Sequence, residues 1–176
     1  VDFNQKPEEL ALNVGAIIVS TGFEFFNIKE HYKNLGYGKY DNVITALEFE
    51  RLILAAGPTG GKVIRASDGK KPHSVTFIQC VGSRDVNKYE YCSGFCCMYA
   101  LKNAILLKEK YKDEVEVYLL YIDMRSWCNG YEEFYRRARD LGINFIRGKA
   151  SQIIEDSRTK NLIIRAEDMS LGEPIE

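Results

Sequence analysis

The 176-residue chain carries 24 Lys and Arg against 25 Asp and Glu, a formal charge of -1, so no basic field exists to hold a phosphate backbone and no nucleic acid partner is expected. Hydrophobic residues make up 45% and charged residues 28%; these are globular values, and no apolar run approaches the roughly 18 to 20 residues of a membrane span, so no membrane insertion is expected. Five cysteines are an odd count, which argues against a disulfide framework and for free thiols or ligands in a reducing, cytoplasmic setting.

In chain order, Val14-Gly15-Ala16-Ile17-Ile18-Val19-Ser20 is a short continuous apolar run closed by Thr21-Gly22, the pattern of a buried strand ending in a tight turn. Residues 23–43 lack sustained periodicity, and 36–42 carry loop chemistry. Thr45 followed by Glu48 has capping-box spacing ahead of Leu47, Phe49, Leu52 and Ile53, which predicts a helix over 46–55 stopped by Gly57 and Pro58. A loop over 57–61, a strand over 62–65 and a turn at Ser67-Asp68-Gly69 are expected next.

The second half is more regular. Strands are predicted over 74–81, 115–122 and 143–147. A helix over 95–110 is expected to present Phe95, Met98, Leu101, Ile105 and Leu106 on one side, with Ser93 as its cap. Tyr131, Phe134, Ala138 and Leu141 recur at helical spacing, and Gly142 stands where a C-terminal cap belongs. Residues 150–155 and 162–167 read as a hairpin. The expectation is an α/β domain over 72–176, nucleotide-binding-like, with a parallel sheet and a C-terminal hairpin, preceded by an entry strand and a connector. Because the chain begins at Val1 and ends at Glu176 after an exposed-looking stretch at 170–174, it is also expected to be a piece of a longer polypeptide.

A dinucleotide fingerprint would place three glycines after the strand at 74–81. Here the turn reads Cys80-Val81-Gly82-Ser83-Arg84-Asp85, with one glycine, so conventional NAD(P) binding is not expected, and Asp123 reads as a strand-end solvent residue. Gly57-Pro58-Thr59-Gly60-Gly61-Lys62-Val63 fails as a phosphate loop because Val63 stands where Ser or Thr must bind the metal; it reads as a flexible cover loop. His31 and His73 read as surface residues, and the eleven tyrosines as core and interface residues.

Cysteine replaces the glycines. Cys80, Cys92, Cys96 and Cys97 converge on one strand-to-helix junction, with Cys96 and Cys97 in the first helical turn. Unsatisfied N–H groups and partial positive charge at a helix start favour anionic sulfur. Four thiolates are the usual complement of an iron–sulfur cluster. Structural zinc expects Cys-x-x-Cys knuckles, which this chain lacks; a thiol–disulfide site and unliganded buried cysteines are the other readings. From spacing alone all four stay open. Cys128 stands outside the constellation as a free thiol.

Several motifs are familiar together: Gly36-Tyr37-Gly38-Lys39-Tyr40, Asn42-Val43-Ile44-Thr45, Leu47 to Leu52, Gly57-Pro58-Thr59-Gly60-Gly61, Ser67-Asp68-Gly69-Lys70, Ile78 to Asp85, and Tyr91-Cys92-Ser93 to Cys96-Cys97-Met98-Tyr99-Ala100. Nearly the whole chain resembles the A-type subunit of heterodisulfide reductase, the flavin and iron–sulfur component of a cytoplasmic electron-transfer complex. The resemblance implies an internal slice with a Rossmann-like fold of the pyridine-nucleotide-disulfide-oxidoreductase type. Residues 1–22 would be the terminal strand of an FAD domain, with Thr21 and Gly22 near the FAD; 23–71 would be a connector, and 72–176 the second domain. It also implies Cys80, Cys92, Cys96 and Cys97 as ligands of a [4Fe–4S] cluster whose potential is tuned by charges such as Arg84 and Lys88. Implied partners are the other reductase subunits, an electron-donating hydrogenase or dehydrogenase, and a second copy of the chain. One component of the quinone-interacting oxidoreductase of sulfate reducers shares this architecture. The FAD fingerprint and ferredoxin motifs are absent from these residues.

Overall fold

The computed structural model describes residues 3–22 and 24–176. Val1 and Asp2, at the head of the expected 1–22 strand segment, and Phe23, the first residue of the expected connector, lie outside the described residues.

Three strands, β1 (Ser74–Ile78), β2 (Glu116–Tyr121) and β3 (Asn144–Arg147), form a parallel sheet in the order β1-β2-β3. The crossovers carry helices α3 (Cys96–Tyr111) and α4 (Tyr131–Asp140), as short parallel strands require. A second sheet is antiparallel, built from β4 (Ala150–Glu155), β5 (Leu162–Asp168) and β6 (Glu173–Ile175). Because strand side chains alternate between faces, Val117 and Leu119 join the core under the helices with Phe77, Leu101, Ala104 and Leu107. Leu120, one residue on, joins Ile153 and Ala166 of the second sheet. The parallel sheet is therefore the middle layer, covered by helices on one face and by the antiparallel sheet on the other. The α/β class, the βαβ repeat and the hairpin agree with the sequence.

Before this unit come α1 (Ile28–His31) and α2 (Ala46–Ile53). The capping box of α2 forms as expected. Thr45 Oγ accepts the Glu48 N–H at 3.3 Å, while the Thr45 N–H donates back to the Glu48 carboxylate at 2.6 Å. Phe49 of α2 meets Phe77 of β1 edge to face, with ring centres 5.2 Å apart, so α2 contributes to the main core. Gly142, at φ 74, follows the last residues of α4 in the left-handed conformation, where glycine costs least.

Several expectations are corrected. Residues 14–20 form no strand, and Ile17, Ile18 and Val19 are 80%, 90% and 77% exposed; an apolar strand needs neighbours on both sides, and neither sheet pairs with this one. Residues 62–65 are not a strand either. Val63 is buried, its N–H donating to Tyr111 Oη at 2.9 Å. The preceding glycine loop is not a flexible cover, because the Lys110 amine is bound to the Gly61 carbonyl and Thr59 Oγ1 donates to the Leu52 carbonyl. No helix follows the loop, so no N-terminus is supplied for a phosphate. On α3, Phe95 and Leu106 face outward, and the buried stripe instead includes Ala100, Asn103, Ala104 and Leu107. Strand β6 begins within the stretch at 170–174 that the sequence marked only as exposed-looking.

Candidate metal centre at the start of α3

The parallel sheet itself creates the site. Its C-terminal edges lie side by side, with Ile78 level with Leu120, so the segments leaving β1 and β2 emerge together. The Gln79 N–H still donates to the Leu120 carbonyl at 3.0 Å. Cys80 then takes φ 58 and turns out of the strand; left-handed geometry recurs at Gly82 and Arg84. Alternation of this kind turns successive N–H groups into a concavity suited to anions, including iron–sulfur sites. The loop closes as a narrow arm. The Arg84 N–H donates to the Tyr91 carbonyl and the Tyr89 N–H to the Gly82 carbonyl, which delivers Cys92 back toward Cys80.

Gly82 is required at its position. It has φ 81, and a Cβ there would stand 2.7 Å from three atoms of the Phe26 ring. Phe26 also packs against Tyr32 and Tyr89, and Tyr89 against Tyr91. These rings gather on one arm, although the sequence shows them scattered.

At the site itself, Cys80 and Cys97 are buried, Cys92 and Cys96 half-buried, and all are free thiols. The Cys80 and Cys97 thiols both hydrogen-bond to Cys96 sulfur, and these bonds hold the Cys96 pKa far below that of an ordinary thiol, with further help from the Ser93 hydroxyl and the Cys80 N–H. Cys80 and Cys97 are pushed up in turn, first by giving their protons to Cys96 and then by burial. The Arg84 charge opposes this at Cys80, and the Arg125 N–H opposes it at Cys97. Cys92 is in electrostatic reach of Cys97, and its sulfur accepts the Gly94 N–H at 3.3 Å. Ser93 is thus not the helix cap: Phe95 holds that position without a side-chain bond, and the Ser93 hydroxyl serves sulfur instead.

The loop after β2 forms the opposite wall. The Cys97 sulfur lies 3.8 Å from the Asp123 carbonyl oxygen. The Asp123 side chain is ion-paired with Arg84 and lies 3.7 Å from Arg125, so it is a structural centre rather than a bystander in solvent. Sequence reasoning read Asp123 as a strand-end solvent residue and passed over Arg125; the signal was that neighbouring parallel strands must end together. Lys88 reaches His31, 3.1 Å away. Cys128 is exposed, and Thr21 and Gly22 lie on the exposed N-terminal stretch, Gly22 with the φ of 86 that suits a turn.

The donor set fits an iron–sulfur group. Cys80 and Cys97 meet Cys96 and Cys92 is in electrostatic reach of Cys97, at least three of the four sulfurs receive backbone N–H or hydroxyl donors, and a helix N-terminus adds partial positive charge. Among the described residues, no three His, Cys, Asp or Glu side chains surround a single-ion position; a cluster spreads its thiolates over several irons and makes no such demand.

No family model matches the sequence. The whole chain aligns with the A-type CoB–CoM heterodisulfide reductase iron–sulfur subunit of Methanocaldococcus jannaschii at 57% identity over 181 residues. It aligns at 55% with an iron–sulfur subunit of the same type from Methanopyrus kandleri, again over its full length. The chain belongs to the family of A-type heterodisulfide reductase subunits. It spans 27% of the length of each of these relatives. A further A-type heterodisulfide reductase subunit, from Methanosarcina acetivorans, is named ferredoxin/F420H2-dependent and is 50% identical over 90% of this chain and 20% of its own length. The relatives are subunits of an oxidoreductase, and two carry the words iron–sulfur in their names. Among the described residues, no helix is long and apolar enough to cross a membrane.

Proposed function

We propose that Cys80, Cys92, Cys96 and Cys97 hold a [4Fe–4S] cluster, and that the chain is an electron-transfer segment of an A-type heterodisulfide reductase subunit. The observation that carries this reading is the placement of four free, buried or half-buried thiols at one strand-to-helix junction, Cys80 just past the end of β1 and Cys96 and Cys97 opening α3, with the Cys97 sulfur 3.8 Å from the Asp123 carbonyl oxygen and Cys92 in electrostatic reach of Cys97. A bound cluster supplies one-electron chemistry, complementing a flavin that takes electrons in pairs. The chain's own part is to position four sulfurs, to direct the N–H groups of Cys80, Gly94 and Arg125 at them, and to exclude water from Cys80 and Cys97.

The consecutive parallel strands β1-β2-β3 support a Rossmann-like domain over 72–176, with 23–71 as connector. Exposed apolar residues at 17–19 and the left-handed φ of Gly22 support reading 1–22 as a strand contributed to an FAD domain, with Thr21 and Gly22 at the flavin end. In this reading the working partners are further reductase subunits, an electron-donating hydrogenase or dehydrogenase and a second copy, in the cytoplasm; the names of the relatives include formate, ferredoxin and F420H2. The isolated chain is not expected to reduce a heterodisulfide.

Anaerobic reconstitution with iron and sulfide tests the proposal. Four irons per chain and a paramagnetic signal on reduction are expected, and Cys92→Ser or Cys97→Ser should lower the iron content. A chain that takes up no iron would instead be a cluster-free assembly module.

A further inference from the structure

Three segments carry the cysteines: the turn at Cys80, the return arm at Cys92, and the first turn of α3. One residue touches the support of all three. Arg84 lies on the same turn as Cys80 and bears φ 56, a left-handed conformation that a residue with a Cβ adopts at a cost. Its N–H is bound to the carbonyl of Tyr91, the neighbour of Cys92. The guanidinium is ion-paired with Asp123, whose backbone carbonyl oxygen packs against the Cys97 sulfur at 3.8 Å. Asp123 in turn holds Arg125 at 3.7 Å. These three side chains leave one net positive charge beside the sulfurs.

We propose that Arg84 is the positioning residue of the cysteine site, tying its three segments together and setting the positive charge that favours the more reduced, more negative state. The inference rests on the cluster reading above. An added electron makes a thiolate-bound cluster more negative, so a nearby fixed positive charge stabilises the reduced form and raises the potential, the more so where burial limits screening. Asp123 offsets that charge and orients it. Removing Arg84 and removing the Asp123 charge therefore act in opposite directions, which a merely structural role would not produce.

The test is a dithionite titration of the reconstituted chain, followed by low-temperature EPR, with iron counted in every sample and the fold checked by circular dichroism. In R84Q, at the midpoint of the unsubstituted chain, the ratio of reduced to oxidised cluster should fall about tenfold, about 59 mV for a one-electron couple. D123N should shift the potential upward, and R84K should restore most of the R84Q loss. A four-iron R84Q sample with an unmoved potential overturns the proposal, as do shifts of the same sign in R84Q and D123N. If R84Q does not fold, D123N decides alone, and a downward shift overturns the proposal. An unsubstituted chain without iron overturns the cluster reading and this inference with it, and the iron count alone identifies that outcome.

Discussion

Gly82→Ala is a sharp test of how the cysteine arm is supported. The new Cβ would stand 2.7 Å from the Phe26 ring at a residue with φ 81. An L side chain in the left-handed region costs ~1–2 kcal/mol, and forcing a methyl into the ring contact costs ~1–3 kcal/mol. Loss of glycine's freedom in the unfolded chain returns ~0.4–1 kcal/mol. The net expectation is a destabilisation of about 1–5 kcal/mol. Urea unfolding followed by far-ultraviolet circular dichroism measures it, with an unchanged denaturant slope indicating a pure stability effect. A Phe26→Ala background removes the ring, so only the backbone cost should remain and the Gly82→Ala effect should fall by about 1–3 kcal/mol. An equal cost in both backgrounds would refute the reasoning, since the ring would then not be what the methyl meets.

Tyr32 donates to Asp85 and Tyr99 to Glu50; burial first, and then these carboxylates, push both phenols up to about 12. A raised folded value means that the associated stability is intact below the ordinary phenol range and is lost as pH rises through about 12. Absorbance at 295 nm should show these two titrating last among the tyrosines, with Tyr32→Phe removing one late step; a single transition near the ordinary value would refute this. At Glu48, burial raises the carboxyl, but the Thr45 N–H and hydroxyl, Tyr37 and Lys29 outweigh it, leaving it lowered. The contribution is therefore present above the ordinary carboxylate range and lost as pH falls through the lowered value. Thr45→Ala should cost about 0.5–2 kcal/mol at neutral pH and less in acid; a cost that does not change with pH would detach the cap from Glu48.

Features that depend on neighbours in sequence were legible from the residues alone. The α2 cap needs only Thr45 and Glu48 three residues apart, and α4 needs only its spacing and Gly142. The four cysteines could likewise be picked out, because two of them stand in one helical turn. The apolar run at 14–20 misled for the opposite reason: strand pairing is non-local, and residues with strand character form no strand where no partner is offered. Ser93 had the chemistry of a cap, yet its hydroxyl hydrogen-bonds to Cys96 sulfur.

By itself, the sequence determined the α/β class, the order of strands and helices from β1 to β5 and the identity of the thiols, since periodicity, caps and residue chemistry are local properties. Tertiary structure alone decided that Asp123 and Arg125 face the cysteines, that Arg84 spans their three segments and that Phe26 makes Gly82 necessary. Those relations arise where parallel strands end side by side, which brings together residues about 40 positions apart through a register that no single segment encodes.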